Sequence, residues 1–205
     1  MNKSCYLCGS ILIKNINKSK DHVPPDCIFP DTKPENLITV PCCEACNKDY
    51  RTLDEKMKNY ISIIAGEKSS DAGKKSKNEI LKSPKLRNDF LKHTQPHSSL
   101  IDSAGNPRLL FNFNNDELDR WLVRIVKGLY FDKYRKRMHE SIYEVKALPK
   151  LTPQPSETFP IEEGLNLRPF FVYGVVKDEN KENRNTWVLI FYDHLIFTVS
   201  VDYPG

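Results

Sequence analysis

Ile38-Thr39-Val40-Pro41-Cys42-Cys43-Glu44-Ala45-Cys46-Asn47 is the stretch that decides the fold, because its C-x-x-C pair answers a second one at Cys5-Tyr6-Leu7-Cys8-Gly9, 34 residues upstream. Each pair is a knuckle that turns two sulfurs to one side, and tetrahedral zinc takes four thiolates at about 2.3 Å. Cys5, Cys8, Cys43 and Cys46 are therefore expected to hold a structural zinc. Cys42 is the alternative to Cys43, but it would put Cys46 one residue further round the helix start, so Cys43 is preferred. Cys27, between Pro24-Pro25-Asp26 and Ile28-Phe29, suits a small buried thiol better than a ligand.

Working outward, the residues between the knuckles carry short apolar runs and turn formers. Ile11-Leu12-Ile13 reads as a strand, and Val23-Pro24-Pro25 as extended chain. Breakers stop at Glu44, and Ala45 to Ile64 reads as a helix with Leu53, Met57, Tyr60 and Ile64 on one face, ending at Gly66. Residues 66–78 are polar and small and predict a loop. A second helical stretch runs from Asn78 to His93 with a break at Ser83-Pro84, and Thr94 to Pro107 collects turn formers. Asn114-x-x-Glu117 opens a further helix whose Leu118, Trp121, Leu122, Ile125, Val126 and Leu129 form one stripe. Past a connector with Pro149, Pro153, Pro155 and Pro160, three strands are expected at Phe170–Val176, Thr186–Tyr192 and Leu195–Val201. The fold class is α+β: a zinc-stapled ββα module, then helices and a small antiparallel sheet. The expected division is 1–65, a basic linker and helical segment at 66–110, and an α+β unit at 111–205.

Composition narrows the classes. Hydrophobic residues make up 39% and charged residues 28%, as in globular chains. No run reaches the roughly 18 apolar residues of a membrane helix. The N-terminus lacks the apolar core of a signal peptide. With cysteines placed for metal rather than disulfides, a reducing, cytoplasmic setting without membrane partners is expected. Net charge is +4, distributed unevenly: residues 1–60 carry 9 Lys/Arg and 8 Asp/Glu, residues 61–150 carry 18 and 11, and residues 151–205 carry 4 and 8. The resulting +1, +7 and −4 place a basic segment mid-chain, as phosphate contact requires, although Lys133-Tyr134-Arg135-Lys136-Arg137 is explained first by the negative end of a helix dipole.

Three elements fall in order inside and around the zinc frame: Cys5-x-x-Cys8-Gly9, then Asp21-His22-Val23-Pro24-Pro25, then Leu37-Ile38-Thr39-Val40-Pro41-x-Cys43-x-x-Cys46-Asn47. Over about residues 5–60 this array resembles the HNH (His-Me finger, ββα-metal) endonuclease family, in particular a bacterial branch with that same pattern. The resemblance implies a metal-dependent nuclease that hydrolyses phosphodiesters, DNA ahead of RNA, with His22 as general base. It further implies Asp21 and Asn47 as oxygen ligands to a catalytic Mg2+ or Mn2+, and Asn36 orienting the His22 loop. A protein partner in a bacterial defence or mobile-element system is a family association. The sequence departs from the family where Asn47 stands in place of the histidine that many members carry after the last cysteine. Lys48 and Arg51, on the first helical turns, are candidate phosphate contacts. Asp193-His194 repeats the dipeptide without a frame, and Asp54-Glu55 has no assigned role. The other reading is a non-catalytic zinc-stapled module that binds nucleic acid or protein.

Overall fold

The computed structural model describes residues 4–29, 33–65, 70–101, 107–112, 114–139, 142–148, 162–177, 181 and 183–203. Its N-terminal part is a hairpin of β1 (Lys18–Val23) and β2 (Ile38–Cys43), followed by α1 (Glu44–Ile64). Antiparallel register sets Asp21 opposite Val40 and His22 opposite Thr39. Strand alternation then buries Asp21 and Val23 on one face and leaves His22 half-buried on the other. Helix α1 starts where it does because Cys43, with extended backbone, caps it: its sulfur accepts from the Cys46 amide at 3.4 Å.

Ile11-Leu12-Ile13 is not a strand. Only a single bridge joins Ile11 to Ser4. The reason is local: the Asn17 side chain takes the place of a partner strand, accepting from the Ile13 amide at 2.8 Å and donating to the Ile11 carbonyl at 3.0 Å. The expected loop over 66–78 is also overturned, since α2 occupies Ser70–Lys82. Tertiary contact outweighs its weak apolar pattern. The Ser76 hydroxyl accepts a buried bond of 2.7 Å from Ser62 on α1, Lys58 pairs with Glu79 at 2.6 Å, and Ile80 is buried. Helix α3 (Pro84–Lys92) follows the predicted break, capped by Ser83. The turn-forming stretch that follows pairs instead as a hairpin, β3 (Thr94–Ile101) with β4 (Pro107–Phe111).

The stripe of α4 (Asn115–Tyr134) is buried as expected, with Asn114 as its cap. It packs against α1, β1 and β2 as well as against a C-terminal antiparallel sheet. That sheet has five strands rather than three: β5 (Ile142–Leu148), β6 (Glu162–Leu167), β7 (Phe171–Lys177), β8 (Arg184–Phe191) and β9 (Leu195–Asp202), in the order β5-β9-β8-β7-β6. Strands β5 and β6 are edge strands without strong apolar alternation, which hid them in the sequence. The proline connector lies outside the described residues. No helix among the described residues is long and apolar enough to cross a membrane.

One contiguous apolar cluster runs from Cys5 and Tyr6 through Val23, Met57 and Trp121 to Phe191 and Val201, so the packing does not separate 1–65 from 111–205. Trp121 lies 5.2 Å from Phe191 between ring centroids, and the Tyr192 hydroxyl donates to the Ile28 carbonyl at 3.0 Å. Helix α4 comes close to β1 at Gly128, where an added Cβ would sit 2.5 Å from Val23 Cγ2. Val23 is buried and β-branched, with little freedom to yield. Gly128→Ala should therefore destabilise the fold. The helix-propensity gain of about 1 kcal/mol is outweighed by an overpacking cost of about 1–3 kcal/mol. Urea unfolding checks this, and an unchanged or raised midpoint would contradict the close approach of α4 to β1.

Candidate functional site

The four sulfurs of Cys5, Cys8, Cys43 and Cys46 lie within 4.8 Å of one another. Cys8 and Cys43 are 3.7 Å apart, close to the separation of about 3.8 Å that two ligands adopt on tetrahedral zinc with bonds near 2.3 Å. Gly9, at φ 78°, closes the first knuckle, and its amide donates to the Cys5 carbonyl at 2.9 Å. The donor set suits a zinc ion. Crowding of the thiols splits their acidities. The hydrogen bond between Cys5 and Cys42 pulls Cys5 down to about 4, whereas burial and the neighbouring sulfurs push Cys46 up. A divalent cation offsets such mutual repulsion among thiolates. Burial pushes Cys27 up to about 12, which makes it an unreactive thiol.

Beside this frame opens a cleft of about 610 Å³ between β1 and the first turns of α1. Asp21, His22, Asn47, Lys48 and Arg51 all line it, together with Lys20, Asp26, Glu44, Asp54 and Glu55. Asn36 is the exception: it sits exposed in the turn before β2, and among the described residues no hydrogen bond links it to His22. The acid beside the ring is instead Asp26, four residues beyond His22, whose carboxylate lies 3.4 Å from Nδ1. Lys33 Nζ reaches both ring nitrogens and also pairs with Asp26 at 3.5 Å. Burial, reinforced by Lys33 and opposed by Asp26 and Asp21, holds His22 below the usual imidazole value. Its neutral form therefore prevails at neutral pH.

Asn47 is fixed by its amide, which donates to the Ser19 hydroxyl at 2.9 Å and the Lys20 carbonyl at 3.3 Å. Lys20, Lys48 and Arg51 are exposed and carry no ion pair among the described residues.

Asp21 is placed differently from the expected cation ligand. It is 4% exposed. Its Oδ1 accepts from Arg124 Nη2 at 2.5 Å, and its Oδ2 accepts from Arg124 Nε at 3.1 Å and from the Tyr6 hydroxyl at 2.6 Å. Such a two-pronged guanidinium pair neutralises the carboxylate and fills its lone pairs. As folded, Asp21 and Asn47 do not fit as the paired oxygen ligands of Mg2+ or Mn2+, which lean on a free carboxylate. Arg124 also pairs with Asp54, to which the Trp121 indole donates at 3.0 Å. Burial pushes Asp54 up to about 6 in spite of Arg124. The acidic residue without an assigned role thus anchors α1 to α4. Asp193-His194 has a structural explanation as well. Tyr192 and Asp193, both at positive φ, form the β8–β9 turn, and Asp193 pairs with Arg168 at 3.3 Å.

No protein-family model, curated protein or solved structure matches this chain.

Two outcomes follow from this geometry. Metal analysis should give one zinc per chain, and Cys43→Ser should lose it and unfold the hairpin, as read by amide hydrogen exchange. Full zinc in Cys43→Ser would reassign the ligands. Arg124→Met, which leaves two buried carboxylates unpaired, should cost about 3–5 kcal/mol. Combining it with Asp21→Asn and Asp54→Asn should recover much of that loss. Chemical denaturation of the set measures both, and a single variant as stable as the native chain would remove the network's role.

Proposed function

We propose that this chain is a nuclease of the HNH type that hydrolyses phosphodiester bonds in nucleic acid, DNA ahead of RNA, with His22 as general base. One observation carries the reading: the zinc-framed hairpin and helix bring His22, Asn47, Lys48 and Arg51 to the walls of a single cleft. In this scheme a water molecule gives a proton to the neutral His22 ring, and its oxygen bonds to phosphorus. The bond from phosphorus to one sugar oxygen breaks, and that oxygen takes a proton from solvent. Asp26 steadies the imidazolium that forms. Lys48 and Arg51, which carry no ion pair among the described residues, hold the phosphate and offset its growing charge. Lys33 leaves the ring as the phosphate draws it. No step is assigned to Asp21, whose carboxylate stays with Arg124.

That same pairing favours a second reading, a zinc-stapled module that binds nucleic acid or a protein partner without cutting. Supercoiled plasmid incubated with magnesium or manganese separates the two. The native chain should nick it, and His22→Ala at equal zinc content should be slower by about 10²–10⁴-fold, the range of general-base catalysis. Equal cleavage by both proteins sinks the catalytic role of His22, and cleavage by neither supports the binding module.

A further inference from the structure

A second and larger cleft, about 1020 Å³, opens further along α1, walled by α1, α2 and α3. It meets the first cleft, since Cys27 and Glu55 line both. Its volume sits at the upper end of ligand-sized pockets, about 300–1,000 Å³. Five lysines line it, two of them already committed: Lys56 to Asp89 and Glu117, and Lys58 to Glu79. Lys85 and Lys92, on α3, have no ion pair among the described residues. Asn59 lines the same cleft at 2% exposure, and its buried Oδ1 meets no donor among the described residues. Buried side-chain acceptors are almost always satisfied, so an unmet one on a residue of the cleft wall marks where a ligand's N–H belongs. Phe29 supplies an apolar surface beside it.

We propose that this second cleft binds a nucleotide of a single strand next to the phosphate presented to His22. Asn59 Oδ1 accepts from the exocyclic amine of the base, and Lys85 and Lys92 contact the adjoining phosphates. The proposal rests on the nuclease reading of the first cleft and deepens it by naming the substrate as single-stranded where it leaves that site. An acceptor rewards cytosine or adenine, which carry an amine on the pairing edge, over uracil, which carries oxygen in the same place.

Fluorescence anisotropy with labelled decamers of deoxycytidine and deoxyuridine, without added divalent metal, tests binding apart from cleavage. The native chain should bind the cytosine strand about tenfold more tightly. Asn59→Leu should abolish that preference, and Lys85→Glu with Lys92→Glu should weaken both strands about tenfold or more and flatten the salt dependence. Circular dichroism and zinc content verify that each variant is folded; should Asn59→Leu unfold, Asn59→Ala, which also removes the acceptor, provides the same loss of preference. Equal affinity for the two strands, or native binding by the double lysine variant, overturns the proposal. Plasmid nicking that survives those results leaves the first cleft's reading standing, whereas intact binding with no nicking removes the nuclease reading alone.

Discussion

Arg124 is the residue on which the arrangement turns. It comes from the middle of α4, is 2% exposed, and holds Asp21 of β1 and Asp54 of α1 at once. A guanidinium so deeply buried is stable only with its charge answered and its donors used. Tyr6, next to the first zinc knuckle, closes the network through Asp21. Hairpin, α1 and α4 are thereby fixed to one another by a polar joint set inside an apolar cluster. The hairpin and α1 carry the walls of the first cleft, so the joint also sets where His22 stands relative to Asn47.

That joint changes the electrostatics of the cleft. Five acids line it, but Asp21 and Asp54 answer Arg124, and Asp26 answers His22 and Lys33. What faces solvent is mainly Lys20, Lys48 and Arg51, against Glu44 and Glu55. Buried charges are spent on the fold, and exposed ones are left for a ligand. An anion therefore meets a more favourable surface than a plain count of charges suggests.

Features that rest on short-range rules were legible in the sequence. The zinc ligands follow from knuckle spacing. The start of α1 follows from the end of the turn formers at Glu44, that of α4 from Asn114 as a cap, and the stripe from Leu118 to Leu129 from helical period. Features decided by distant contact were not. Helix α2 needs α1 to bury Ser76 and Ile80, and the edge strands β5 and β6 need β9 and β7 as partners. The loss of the expected strand at Ile11–Ile13 turned on one Asn17 side chain. Around the candidate cleft, pattern named His22, Asn47, Lys48 and Arg51 but not Asp26, which contacts His22, nor Tyr6 and Arg124, which hold Asp21. Arg124 did leave a trace: a lone charge three residues after Trp121 and one before Ile125, at the edge of an apolar stripe, where a buried partner was to be sought.

Whether the first cleft activates water against phosphorus is read most directly by cleaving DNA in water enriched in oxygen-18 and weighing the products. The native chain should leave one heavy oxygen in the product phosphate for each bond broken. Product phosphates without the label, or strands left whole by a zinc-loaded, folded protein, would contradict it.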